Sequence, residues 1–160
     1  MIARLAGPGF GLWLEGDETA VRRVSFSAID GPEGSLDWIT ASLTAYLQGQ
    51  YRESFPGGLA FGPQGPLWVR EPTALEPTSP LQHIYRALAA LTYGQTLTYG
   101  ELGALAGNPR WARAAGQACR LNQLPVLVPC HRVLAAHSLG GFGPGLELKR
   151  RLLALEGLNH

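Results

Sequence analysis

The sequence predicts an α+β chain in which strands come first and helices follow. Three observations predict it. Short β-rich apolar runs fill the first third, and Gly and Pro crowd the stretch from 57 to 78. The second half carries helix-start signals ahead of apolar stripes of helical period. With 160 residues the chain suits one domain, or one compact domain with a small companion. We place a boundary near residue 78, giving a small N-terminal α/β domain with its linker over 1–78 and a mainly helical domain over 79–160.

Each element has its own signal. Phe10 to Leu14 and Val21 to Phe26 read as strands joined by the turn-like Glu15-Gly16-Asp17-Glu18. Ser35 reads as the N-cap of a helix striped by Leu36, Ile39, Leu43 and Leu47 and ended by Gly49. Leu67, Trp68 and Val69 form a brief strand in the Gly/Pro-rich region, and Glu71 to Thr78 reads as a linker. Ser79, Pro80 and Gln82 predict a capping box with Pro at the first helical position, ahead of Leu81, Ile84, Leu88 and Leu91. Thr98 and Glu101 predict a second box opening a short helix that stops at Gly107. Asn108 and Pro109 then start a helix from Pro109 to Leu121, so two short helices flank a Gly-Asn-Pro turn: a helix-turn-helix pattern. Leu124 to Val128 reads as an apolar β-like run stopped by Pro129, which puts Cys130 and His131 where a strand meets a loop. Leu148, Leu152 and Leu155 mark a last helix ended by Gly157.

The bulk numbers exclude several classes. No apolar run is long enough to span a bilayer, and the N-terminus lacks a basic region followed by an apolar stretch, which predicts a chain without a signal peptide. Two cysteines, Cys119 and Cys130, make neither a secreted disulfide framework nor, by themselves, a zinc site, so we expect a reduced, intracellular protein. Net charge is +1, but it is unevenly spread. Arg110, Arg113, Arg120, Arg132, Lys149, Arg150 and Arg151 make the C-terminal segment basic, whereas acidic residues gather before residue 40. Such a distribution suits local phosphate contact, and it equally suits an uneven solvated surface. Ala112, Ala114, Ala115, Gly116 and Ala118 keep the helix after Pro109 thin. Thinness permits either close approach to a nucleic-acid groove or close packing on the core.

The run Pro129-Cys130-His131-Arg132-Val133 carries the candidate chemistry. A cysteine is by default a small buried hydrophobe. The thiolate is a nucleophile, and a basic setting favours it. Neighbours in a strand point to opposite faces, so direct proton transfer from Cys130 to His131 is not assured and a water could carry the proton. The residues alone leave both readings open.

The stretch from Leu81 to Gly157 resembles the catalytic domain of the O6-alkylguanine-DNA alkyltransferases, the methylated-DNA–protein-cysteine methyltransferases. The resemblance lies in Tyr93-Gly94-Gln95-Thr96, Thr98-Tyr99-Gly100-Glu101-Leu102, Ala112-Arg113-Ala114-Ala115-Gly116, Asn122, Pro129-Cys130-His131-Arg132-Val133, Leu139-Gly140-Gly141-Phe142 and Leu152-Leu153-Ala154-Leu155-Glu156-Gly157, in the family's order. It implies direct-reversal DNA repair: irreversible, single-turnover transfer of an alkyl group from O6-alkylguanine, with O4-alkylthymine as a second lesion, onto Cys130. It implies that His131 takes the thiol proton through a water and that Glu156 orients His131. Tyr99 would help flip the nucleotide and protonate the leaving guanine, and Arg113 would fill the gap in the base stack. Arg110, Ala112 and Arg120 would touch DNA beside Arg113 and Tyr99. Asn122 would hold the turn that positions the site, and Pro125, Val133, Phe142 and Gly143 would line the base pocket. The resemblance implies a ribonuclease H-like N-terminal domain, minor-groove contact with double-stranded DNA, no cofactor or metal, and a monomeric cytoplasmic protein.

Four features depart from the family. Phe142 stands where Tyr is usual and Pro144 where Gly is common, and the loop from Val133 to Gly140 is one residue short. Tyr85 replaces a usual Trp, which we expect to be a core change. Cys119 reads as buried filler, and His83, His137 and His160 receive no role. The alternative from another class is a non-catalytic sensor that binds and flips the alkylated base, and the presence of Cys130 argues against it. A cysteine hydrolase on an unrelated substrate is a third reading, and it finds no matching order of residues.

Overall fold

The computed structural model of the chain describes residues 1–50, 52–74 and 76–159. Leu75, inside the predicted linker, and His160 lie outside the described residues. The fold is mixed α/β, and the chain divides into two compact units, Met1–Leu75 and Glu76–His160.

The first unit is built on a five-stranded antiparallel sheet ordered β1-β2-β3-β5-β4. The strands are β1 (Ile2–Gly7), β2 (Phe10–Gly16), β3 (Ala20–Ser25), β4 (Gly58–Gly62) and β5 (Gly65–Val69). Pro8 and Gly9, with Gly9 at φ +79°, turn β1 into β2. Asp17 makes the next turn: its Oδ1 accepts from the Thr19 and Ala20 backbone N–H groups at 2.8 and 3.1 Å. Helix α1 (Asp37–Leu47) buries Ile39, Leu43, Tyr46 and Leu47, which join Leu12, Leu14, Val21 and Val24 in the core. Ser35 is not its N-cap. Leu36 holds that position with no side-chain cap, and the Ser35 hydroxyl donates to Asp37 Oδ1 instead. Burial of Leu36 fixes the start of this helix.

The second unit contains α2 (Pro80–Ala89), β6 (Leu97–Thr98), α3 (Tyr99–Leu105), α4 (Ala112–Leu121), β7 (Val133–Leu134) and α5 (Leu146–Leu155), with β6 and β7 paired in parallel. Ser79 caps α2 by accepting from Gln82 N at 3.3 Å. The predicted box is not closed, because Gln82 reaches one residue further and accepts from Thr78 N at 2.8 Å. The Thr98–Glu101 box is complete, with Thr98 N donating to Glu101 Oε2 and Glu101 N to Thr98 Oγ1. Gly107, at φ +115°, lets the chain leave α3.

Two predicted elements need correction here. The helix from Pro109 begins as a 3-10 turn, Pro109–Trp111, before α4. It crosses α3 closely: a Cβ on Gly103 would stand 3.0 Å from the Trp111 carbonyl carbon and 3.1 Å from the Asn108 oxygen. Leu124 to Val128 is not a strand. It forms a buried turn in which Val126 takes φ +77°, and Cys130–Arg132 is a 3-10 turn rather than a strand end. Apolar character marked this run as buried, and burial alone does not select an extended backbone.

Candidate active site

The turn before Cys130 is held from within. Asn122 Nδ2 donates to the Val128 carbonyl at 2.7 Å, and Asn122 Oδ1 accepts from Leu124 N at 3.0 Å. A β-branched residue with positive φ costs about 1–3 kcal/mol. Burying a valine side chain returns about 1.5–3 kcal/mol, so full burial of Val126 together with the Asn122 bonds outweighs the strain. The same Asn122 amide reaches Cys130 Sγ at 3.1 Å. One Asn122 side chain thus holds the turn and touches the Cys130 sulfur.

Cys130 lies at a cavity of about 220 Å³ lined by Tyr99, Gly116, Cys119, Arg120, Cys130, Gly141, Phe142 and Gly143. Of the residues expected around a base, Tyr99, Arg120, Cys130, Phe142 and Gly143 meet here. Asn122, Pro125 and Val133 do not line this cavity. Asn122 touches the sulfur, Pro125 is buried in the turn, and the Val133 carbonyl faces inward to Lys149. Cys119 is not mere filler, as the sequence suggested. It is half-buried and forms part of the cavity wall, one helical turn from Gly116.

His131 and Glu156 are brought together in the interior. His131 Nε2 lies 2.8 Å from Glu156 Oε1, and both side chains are fully buried. Glu156 also accepts from Arg132 Nε at 2.9 Å, from Arg132 Nη2 at 2.9 Å and from Gly94 N at 3.0 Å. Burial opposes its charge, but the donors from His131 and Arg132 win and hold its carboxyl well below the usual carboxylate range. A carboxylate can only accept, so Nε2 carries the imidazole proton and Nδ1 is left as the basic nitrogen. Burial, aided by the charges of Arg132 and Lys149, pushes the His131 pKa down and favours that neutral form. Burial pushes the Cys130 thiol up, while the Asn122 bond and the Lys149 charge pull it back. Burial also pushes the Tyr99 phenol up, which keeps it protonated as a donor.

Arg110, Arg113 and the cavity-lining Arg120 are exposed and Ala112 is half-exposed along one stretch from the 3-10 turn through α4. The sequence reading missed Lys149 and the structural part played by Arg132. Lys149 is fully buried, and its Nζ donates to the carbonyls of Val133, Leu139 and Gly141 at 2.6, 2.5 and 3.1 Å. A signal existed: Lys149, Leu152, Leu153 and Glu156 share the i, i+3, i+4, i+7 spacing of one buried face.

A family profile described as 6-O-methylguanine DNA methyltransferase, DNA binding domain, matches residues 80–158. The methylated-DNA–protein-cysteine methyltransferase of Methanosarcina acetivorans is 34% identical over 158 residues, covering 90% of this chain and 90% of that protein. The chain belongs to this methyltransferase family. The human member is 35% identical over 133 residues, which cover 82% of this chain but 59% of the human protein. The match thus spans somewhat more than half of the human relative. A crystal structure of the Mycobacterium tuberculosis O6-methylguanine methyltransferase superposes with a TM-score of 0.71 at 28% identity, covering 98% of this chain and 93% of that one. A structure of Mycobacterium tuberculosis OGT in complex with DNA gives a TM-score of 0.70 at 29% identity, covering 92% of this chain and 87% of that one.

Proposed function

We propose that this protein repairs O6-alkylguanine in double-stranded DNA by transferring the alkyl group once and irreversibly to Cys130. The observation that carries this reading is Cys130 Sγ in a small cavity, fixed by Asn122, beside a buried His131–Glu156 pair. The sulfur attacks the alkyl carbon, the carbon–O6 bond breaks, and a thioether forms. The thiol proton leaves through a water to His131 Nδ1, with Glu156 fixing the ring. The guanine takes a proton from the Tyr99 hydroxyl as it leaves. O4-alkylthymine is a second substrate in this reading.

The placement of α3 and α4 supports this reading of the DNA contacts. Tyr99 opens α3, whose packing on the 3-10 turn and α4 supports the helix-turn-helix reading. Arg113 fills the base stack when the nucleotide is flipped, because extraction costs a few kcal/mol and leaves a gap. Arg110, Ala112 and Arg120 approach the minor groove, and Pro125, Val133, Phe142 and Gly143 shape the base pocket or support its wall. For the N-terminal unit we keep the ribonuclease H-like reading, which rests on its five-stranded sheet and helix α1. The protein acts as a monomer inside the cell, and no helix among the described residues is long and apolar enough to cross a membrane.

The test is label transfer. Duplex DNA carrying O6-[³H]methylguanine should give its label to the protein to a limit of one methyl per chain, and Cys130→Ala should abolish transfer. Label transfer that survives Cys130→Ala, or repeated turnover, contradicts the reading.

A further inference from the structure

Glu156 orients His131 only if it is itself held, and it stands just past the end of α5, where helix carbonyls lose their intrahelical partners. Two of those carbonyls are closed by the chain that follows. Leu158 N donates to Leu153 and Gly157 N to Ala154, both at 2.9 Å. The Leu155 carbonyl is met from elsewhere: the Tyr93 hydroxyl, 62 positions away in sequence, donates to it at 2.5 Å. That carbonyl shares a planar peptide unit with the Glu156 N–H, which donates to the Leu152 and Leu153 carbonyls at 3.2 and 3.0 Å. The peptide that carries Glu156 is therefore held at both edges. The residue after Tyr93 holds the side chain. Gly94 N donates to Glu156 Oε2 at 3.0 Å, while His131 Nε2 lies 2.8 Å from Oε1. Two positions before Tyr93, the Leu91 carbonyl accepts from Arg132 Nη1 at 2.5 Å, and Arg132 is the other partner of the Glu156 carboxylate. Gln95 closes this turn on itself. Its Oε1 accepts from Thr92 N at 3.1 Å, and its N–H donates to the Thr92 carbonyl at 3.1 Å. Gly94 takes φ +74°, which a residue with a side chain adopts only under strain.

We propose that Tyr93 is a positioning residue for the transfer reaction: its hydroxyl, with the Gly94 N–H beside it, fixes the Glu156 peptide and carboxylate so that the His131 proton stays on Nε2 and Nδ1 stays the base. Tyr93 acts through Glu156 and His131 and touches no reacting atom. A carboxylate that swings away from Nε2 lets the proton divide between the two ring nitrogens. The fraction of His131 able to accept the thiol proton at Nδ1 then falls. This role presupposes Cys130 as the acceptor and His131 as its base, and one arm of its test uses neither DNA nor the reaction.

The test compares the parent with Tyr93→Phe, which keeps the half-buried ring and removes only the hydroxyl. A third protein carries 4-aminophenylalanine in place of Tyr93 and so keeps a donor there. The first arm records the imidazole ¹⁵N signals of His131 at neutral pH without DNA. The parent should show a protonated Nε2 and an unprotonated Nδ1 as two widely separated signals. In Tyr93→Phe the two should move toward each other, and the amino variant should restore much of the separation. The second arm measures single-turnover label transfer over a range of concentrations of O6-[³H]methylguanine duplex. Tyr93→Phe should lower the rate at saturating DNA about three- to tenfold, the rate equivalent of one hydrogen bond, and leave the half-saturating concentration unchanged. His131 signals that superimpose for the parent and Tyr93→Phe overturn the proposal. So does an undiminished rate at saturation, or a loss confined to the half-saturating concentration. A parent that transfers no label sinks the repair reading, and the His131 signals then decide by themselves whether Tyr93 holds the Glu156–His131 pair.

Discussion

At the residue scale, the site is a small set of buried polar groups whose protonation states are fixed by one another. Glu156 stays anionic because His131, Arg132 and Gly94 all donate to it, and His131 stays neutral because it is buried beside two cations. Both groups have folded pKa values below their unfolded ones, so the folded state binds fewer protons than the unfolded state. Stability therefore falls on acidification. The His131 part is lost below the unfolded histidine value of about 6.5 and the Glu156 part below the unfolded glutamate value of about 4.3. Urea titrations from pH 7 to pH 2 should show this decline, and Glu156→Gln should flatten its part below about pH 4.3; a variant as pH-sensitive as the parent there would contradict the assignment. Asn122→Ala should cost about 1–3 kcal/mol, because it strands the Val128 carbonyl and the Leu124 amide in a buried turn. An unchanged urea midpoint would show that the turn holds itself. Cys130 was legible as a candidate nucleophile from its motif, and His131, Glu156 and Tyr99 as candidate partners only through the family resemblance. Lys149 was not, because a lysine in a sequence reads as a solvated charge until a buried stripe is seen to run through it.

Elements differ in how much they betray themselves. Helices α2 and α3 announce their starts with Ser79 and Thr98, since a cap is a local bond between neighbours in sequence. Thr98→Ala should destabilise the second unit by about 1 kcal/mol, and it removes the bond that starts α3 at Tyr99. A thermal melt of the variant matching the parent would remove the cap from the account. Strands β1 and β4 gave no signal, because Ala and Gly in Ile2–Gly7 and Gly58–Gly62 have little strand preference. Their pairing with β2 and β5 makes them strands. The turn from Leu124 to Val128 misled for the opposite reason. Val126 and Val128 are strand formers, but Asn122 and the left-handed Val126 bend the chain through a buried turn. Cys119 was misjudged because its position depends on how α4 packs, and that contact is not local.

At the scale of the whole molecule, the chain comprises a sheet-based unit and a helical unit that contains the entire cavity. Arg110, Arg113 and Arg120 give the helical unit an exposed basic stretch, so repair of duplex DNA should slow as salt rises while reaction with a free O6-alkylguanine base should not. Arg113→Ala should slow duplex repair on the order of tenfold or more, the scale set by an unfilled gap in the base stack, and should leave reaction with the free base near parent level. Equal losses on both substrates would move Arg113 from DNA contact to the chemistry. The central claim is that Cys130 accepts the alkyl group. Its most direct test is the mass of the intact protein after incubation with an O6-methylguanine duplex, followed by peptide mapping. The account predicts a gain of a single methyl located on Cys130; an unchanged mass with the lesion still bound, or a methyl found on Cys119, would contradict it.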